Sequence, residues 1–203
     1  DVSHELRTPV AVILSHCEDL LEHGNLASEE RRELEIIQAR AKGMAQMNAQ
    51  LLLLSRADQN RQPLHLETVN LTELLEIILE EQEELALEKK IELRSELAPD
   101  VSITADETMM IRLFENLLTN AIRYGRENGW VMVAMAAAED HVTISVRDNG
   151  IGISEEHLPH IWERFYQADS SRTASRQGAG LGLPMVQWIV KAHHGTIQVR
   201  SLE

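Results

Sequence analysis

Apolar positions along this chain follow two different periods, and the change falls near residue 62. In the first sixty residues the spacing is helical. Val2, Leu6, Pro9 and Ile13 recur at intervals of four, three and four, a heptad seam. Leu34, Ile37, Ala41, Met44, Asn48 and Leu51 alternate in the same way, with Asn48 a polar intruder. Between the two runs, Gly24-Asn25 breaks the helix, and Ser28 followed by Glu29-Glu30 has the composition of an N-cap and acidic first turn. The pattern predicts one helix from Asp1 to about His23 and a second from Ser28, together a helical hairpin. Two helices do not close a core by themselves. A second copy completes a four-helix bundle, so the seams predict a homodimer, the alternative being that the hairpin packs on the rest of its own chain.

Gln59-Asn60-Arg61-Gln62-Pro63 is polar and ends in proline, which reads as a linker. Beyond it strands and helices mix. Leu64 to Val69 alternates as a strand. Asn70-Leu71-Thr72-Glu73 has an N-cap with a supporting glutamate, and opens a helix to about Lys90. Ile91 to Leu93 and Val101 to Ile103 are short strands, and Asp106 caps a helix running to about Tyr124. Trp130 to Ala136 and Val142 to Val146 read as adjacent antiparallel strands. Ser154 is expected to cap a short helix, Leu183 to about Ala192 forms the last helix, and Thr196 to Val199 the last strand. Strands that are often sequence neighbours predict a two-layer α+β sandwich over a doubly wound parallel sheet. The domains expected are therefore 1–62 and 63–203.

Composition narrows the function. A net charge of −14 argues against a nucleic-acid surface, which needs clustered Lys and Arg. Hydrophobic residues make up 43% of the 203 positions but aromatics only 3%, so the core is expected to be aliphatic. The single cysteine, Cys17, cannot form an internal disulfide, fits a reducing compartment and is expected to be a small buried residue. No apolar run reaches the ~18 residues of a membrane span, and no signal peptide is visible. The chain opens in mid-helix without an initiator methionine, as a piece of a longer protein would.

The candidate chemistry begins at His4-Glu5-Leu6-Arg7-Thr8-Pro9. His4 lies about 200° round the helix from Val2, away from the seam. Thr8, at i+4, shares its face. Pro9 lacks an N–H, so a kink beneath the histidine is expected. This run resembles the phospho-acceptor box of sensor histidine kinases, in which the histidine takes the γ-phosphoryl of ATP.

Four further motifs follow in order. Glu115-Asn116-Leu117-Leu118-Thr119-Asn120-Ala121-Ile122-Arg123-Tyr124 puts Asn116 and Asn120 on one helical face with Arg123 a turn on. Carboxamides offer oxygens to a hard cation and N–H groups to phosphate, and Arg123 adds positive charge. Asp148-Asn149-Gly150-Ile151-Gly152-Ile153 places an acceptor at a strand end beside two glycines that admit close backbone approach. Trp162-Glu163-Arg164-Phe165-Tyr166 precedes a stretch, 167–179, rich in Ser, Arg, Gln and Gly, which reads as a mobile lid. Gly178-Ala179-Gly180-Leu181-Gly182-Leu183-Pro184 sets alternate glycines before a helix, so backbone N–H groups face an anion. It is neither a Walker A loop nor a dinucleotide fingerprint.

These four runs resemble the N, G1, F and G2 boxes of the GHKL ATPase superfamily, and with the histidine box they resemble the sensor histidine kinases over nearly the whole chain. The resemblance implies a Bergerat-type ATP-binding fold. It implies Mg²⁺ on Asn116 and Asn120, with ATP contacted by Asn116, Asn120, Arg123, Tyr124, Asp148, Gly150, Gly152, Phe165, Gly178, Gly180, Leu181 and Gly182, Asp148 taking adenine N6. The family often has Lys where Arg123 stands. It also implies His4, Glu5 and Thr8 as catalytic residues, and phosphotransfer to the receiver domain of a response regulator docking below His4 near Leu14, Ser15 and Glu18. Regulator phosphatase activity is expected through Glu5-x-x-Thr8. A cytoplasmic location is implied for this piece, with an upstream sensor anchoring the whole protein in the cytoplasmic membrane. The competing readings are a conformational-clamp ATPase of the gyrase or Hsp90 kind, which lacks a histidine box, and a degenerate kinase serving as a dimeric scaffold. His157/His160 and His193-His194 lack partners at ligand-like spacing, so no metal is expected there.

Overall fold

The computed structural model describes residues 2–59, 61–168 and 179–201, with side chains from residue 8 on. The chain forms two compact units, residues 1–62 and 63–203.

The first unit is an antiparallel helical hairpin of α1 (Val2–His23) and α2 (Ser28–Asp58). Helix α1 runs through Pro9. Among its described side chains Val10 and Cys17 are buried, flanked at heptad intervals by half-buried Leu14 and Leu21. This stripe differs from the expected one, since Pro9 and Ile13 are exposed. On α2, Ala41 is buried and Leu34, Asn48 and Leu51 are half-buried, but Ile37 and Met44 are each 50% exposed. Packing of one helix on one other covers a single stripe, and each helix here carries more apolar surface than that. The α2 N-cap is Ala27 rather than Ser28. The Glu30 carboxylate accepts from the Ala27 N–H at 2.9 Å, so the anchoring comes from inside the helix and not from a cap hydroxyl.

The second unit is a two-layer α+β sandwich. A two-stranded antiparallel sheet pairs β1 (Glu67–Asn70) with β3 (Ser102–Ala105). A three-stranded sheet runs β2 (Glu92–Leu97), β4 (Trp130–Ala137), β5 (Val142–Asp148). β4 and β5 are antiparallel as expected, but β2 lies parallel to β4, with β3 and helix α4 (Glu107–Tyr124) forming the crossover. On β4, Val131, Val133 and Met135 point inward and alternate with less buried neighbours, the period-2 signature of a sheet covered on one face. The cover is α3 (Leu71–Glu88), α4 and, packed on α4, α5 (Gly182–Ala192).

Asn70 and Asp106 cap their helices as the sequence indicates. Asn70 accepts from the N–H groups of Thr72 and Glu73, and Asp106 from Met109. Two expectations fail. Residues 155–163 form successive turns and no helix, with Ser154 contributing its carbonyl; its hydroxyl is buried and has no hydrogen-bond partner. Residues 196–199 are not paired as a strand. A strand exists only where a neighbour accepts its ladder, and apolar alternation does not supply one.

Candidate nucleotide site

Helix α4 sets the site's geometry. Leu113, Phe114, Leu118, Ala121 and Ile122 are buried, and they fix its rotation about its own axis. Asn116 and Asn120 consequently lie half-buried on its flank, with Arg123 half-buried in the last turn. Asn116 donates from Nδ2 to the Arg112 carbonyl at 2.6 Å, which turns its Oδ1 outward. Burial, and the nearby Glu81, hold the neighbouring Glu115 carboxyl above the usual range, with Arg112 acting the other way. A raised carboxyl favours the folded form at acid pH, a contribution lost as pH rises through the raised value.

The four motifs meet around this helix. At its C-terminal end, the Tyr124 carbonyl accepts from the Ile151 N–H at 3.1 Å. A Cβ at Gly150 would lie 2.5 Å from the same carbonyl, so the G1 turn approaches α4 only because residue 150 is glycine. Gly152 holds φ +77°, a left-handed value that favours glycine. Asp148, exposed at the end of β5, accepts from the Gly150 N–H through Oδ1 at 2.9 Å, which orients the carboxylate. Asn149 accepts from the Trp130 N–H at 2.7 Å and pins the turn to β4.

On the other flank, a Cβ at Gly182 would come within 2.7 Å of Asn116 Oδ1 and 3.7 Å of Asn120 Nδ2. The first turn of α5 therefore faces the carboxamides across a gap that one methyl would fill. Leu181, 1% exposed, anchors that turn from below. Gly180 has φ +65°, and its carbonyl accepts from the Phe165 N–H at 2.9 Å. Phe165 itself is left-handed at φ +64° and 59% exposed, a costly conformation for a bulky residue. The F and G2 motifs are thus joined by backbone at both ends of the expected lid, whose residues 169–178, including Gly178, lie outside the described residues.

In the hairpin, Thr8 is exposed on α1. His4 and Glu5 belong to the same helix, and their side chains lie outside the described residues.

Two supports escaped the motif reading. Lys89 Nζ donates to the carbonyls of Arg123 at 2.8 Å and Ile122 at 3.4 Å, placing a cation at the negative end of the α4 dipole. The lysine sits 34 positions away, so no local pattern announces the contact. His157 Nδ1 lies 2.7 Å from the Tyr166 hydroxyl and steadies the F motif. The offset from His157 to Tyr166 is nine residues through irregular turns, which carries no periodic signal.

A half-buried carboxamide pair, a helix start and an acidic strand end, brought to one helix by close glycine backbone, define an ATP-binding unit of the Bergerat kind. Residues 105–203 match the family described as Histidine kinase-, DNA gyrase B-, and HSP90-like ATPase, and residues 1–60 match the His Kinase A (phospho-acceptor) domain. The chain belongs to the sensor histidine kinases of two-component systems. It is 32% identical over its whole length to the phosphate regulon sensor protein PhoR of Pseudomonas aeruginosa, covering 46% of that protein. It is 34% identical over 99% of its length to the sensor histidine kinase RppB of Synechocystis, covering 45% of it. The fold superposes on full-length ShkA, solved in complex with AMPPNP, with a TM-score of 0.81 and 28% identity, covering 98% of this chain and 42% of that one. The chain thus spans less than half the length of these relatives.

The gap at Gly182 yields a prediction. Gly182→Ala places a methyl against Asn116 Oδ1 and forces that carboxamide to swing. ATP affinity is expected to fall at least tenfold by calorimetry, while the thermal midpoint changes little, since the displaced atom ends a side chain and the backbone is untouched.

Proposed function

We propose that this chain is the catalytic core of a sensor histidine kinase, with a dimerisation and phosphotransfer domain at 1–62 and a catalytic domain at 63–203. It would phosphorylate His4 from ATP and pass the phosphoryl group to an aspartate of a response-regulator receiver domain. The carrying observation is the backbone junction of all four ATP motifs around α4, in a chain that also holds the histidine box. The relative solved with AMPPNP supports ATP as the donor.

Each residue's work follows from its chemistry. Asp148, oriented through Oδ1, leaves Oδ2 to accept from the adenine amino group, and Gly150 and Gly152 let the backbone lie against the base. Leu181 and Gly182 present the α5 N-terminus to the phosphates, and Phe165 and Tyr166 border the lid. Arg123 lies against the phosphate charge and Tyr124 closes the helix end behind it. The outward Asn116 Oδ1, with Asn120 four residues on, suits Mg²⁺, an oxygen-seeking cation that the carboxamides would hold and that would neutralise the triphosphate. A neutral His4 ring nitrogen attacks the γ-phosphorus in line, the bond to the β,γ-bridging oxygen breaks, and ADP leaves. Glu5 takes the proton released by the other ring nitrogen.

The apolar surface that α1 and α2 leave uncovered, Ile13, Leu20, Ile36, Ile37 and Met44 at 43% to 50% exposure, supports a homodimer through the hairpin. Leu14, Ser15 and Glu18 on α1 supply the receiver dock. The whole protein would carry this core in the cytoplasm behind a membrane-anchored sensor.

His4→Gln is expected to abolish labelling by γ-labelled ATP and leave ATP affinity unchanged. The label on the parent chain should be acid-labile and base-stable; label retained on the variant removes His4 as the acceptor. In the ultracentrifuge the chain is expected at about twice its 23.0 kDa mass, and Ile37→Glu with Met44→Glu at the monomer mass. Monomeric parent chain at micromolar concentration would refute the bundle.

Thr8 separates two reactions. Thr8 is exposed on α1 four residues from His4, a position from which a hydroxyl can orient a water near a docked aspartyl phosphate, whereas autophosphorylation needs no hydroxyl there. Alanine is also the better helix former, by a few tenths of a kcal/mol. Thr8→Ala should keep most kinase activity and lose most phosphatase activity toward a purified phosphorylated receiver domain. Equal loss of both would reduce Thr8 to orienting His4.

A further inference from the structure

At the end of the α4–α5 pair remote from the glycine gap, Asp106 is 4% exposed and fully engaged. Its Oδ1 accepts from the Met109 N–H at 3.1 Å, and its Oδ2 from the His65 N–H at 2.9 Å. Its own N–H points at His193 Nε2, 3.0 Å away, while His193 Nδ1 lies 2.8 Å from the Ile189 carbonyl. An amide N–H only donates and a carbonyl only accepts. His193 is therefore neutral, with its proton on Nδ1 and its lone pair on Nε2. One ring ties the C-terminus of α5 to the N-cap of α4, and through Asp106 to the stretch leading in from residue 63.

The two ends of this helix pair are related by length. From Glu107 to Asn116 is nine residues, about 14 Å of helix, and from Gly182 to His193 is eleven, about 16 Å. The His193–Asp106 bond and the Gly182–Asn116 approach are thus two rungs of one antiparallel pair. The first rung is a directional hydrogen bond. The second is a close approach, too narrow for one methyl, that sets the first turn of α5 beside the carboxamides. With the first rung cut, the splay between the helices rests on packed apolar side chains such as Leu118, Met185 and Ile189, which carry no direction.

We propose that His193 is a positioning residue for the nucleotide site. By holding the Asp106 amide it sets the separation between the Asn116/Asn120 carboxamides and the α5 N-terminus, although it stands a helix length from any bound ATP. The inference rests on the nucleotide reading above.

Two substitutions of similar polarity isolate the rung. Glutamine reaches far enough for Oε1 to accept from the Asp106 N–H. Asparagine, one methylene shorter, can keep the bond to the Ile189 carbonyl but leaves the Asp106 N–H unpaired. In the full chain, His193→Asn is expected to raise KM for ATP in autophosphorylation at least fivefold, with the rate at saturating ATP within twofold of the parent. It is also expected to speed amide exchange at Asp106. His193→Gln should restore KM to within twofold. Equal KM values for parent, Asn and Gln variants would overturn the inference alone, as would a fall in the saturating rate without a change in KM. A parent chain that binds no ATP would overturn the nucleotide reading and this inference with it.

Discussion

Helix α4 has to be held rigidly along one side and left polar on the other. Its buried stripe of Leu113, Phe114, Leu118, Ala121 and Ile122 fixes the rotation that sends Asn116 and Asn120 to the open flank. Each of the four large side chains in that stripe contributes on the order of 1.5–3 kcal/mol by burial, enough together to outweigh the cost of leaving carboxamides half-buried. Both ends of the helix are then fastened. Asp106 takes the Met109 N–H at the N-terminus, and Lys89 sits on the C-terminal carbonyls. The remaining motifs are arranged against an element that cannot turn.

Backbone makes the arrangement. The Tyr124 carbonyl takes the Ile151 N–H, and the Gly180 carbonyl takes the Phe165 N–H. At Gly150 and Gly182 the chain passes so close to α4 that a single methyl would collide. A site built from main-chain junctions is preorganised, since few rotamers have to be frozen when the ligand arrives. Phe165 and Gly180, on either side of residues 169–178, are bonded to each other through the backbone.

The hairpin follows different physics. Its helices cover each other along one stripe, and residues such as Ile37 and Met44 remain open to solvent. The seam read from the heptads contains both kinds of position, because a heptad pattern reports apolar surface and is silent about which partner covers it.

Sequence alone determined the motifs and those elements that local signals announce. The caps at Asn70 and Asp106, the helix from 107 to 124 and the antiparallel pairing of β4 with β5 were legible, since capping and alternation are local signals read over a few residues. The ATP motifs were legible because their chemistry needs particular residues at short spacing. Contacts across long separations were settled by tertiary structure only. β2 is parallel to β4, residues 196–199 found no strand partner, and 155–163 stayed as turns. Ala27 displaced Ser28 as the cap because Glu30 turned back to the chain. Lys89 on α4 and His193 on Asp106 join residues 34 and 87 positions apart. Such pairings depend on how whole elements pack, and no period within either partner encodes them.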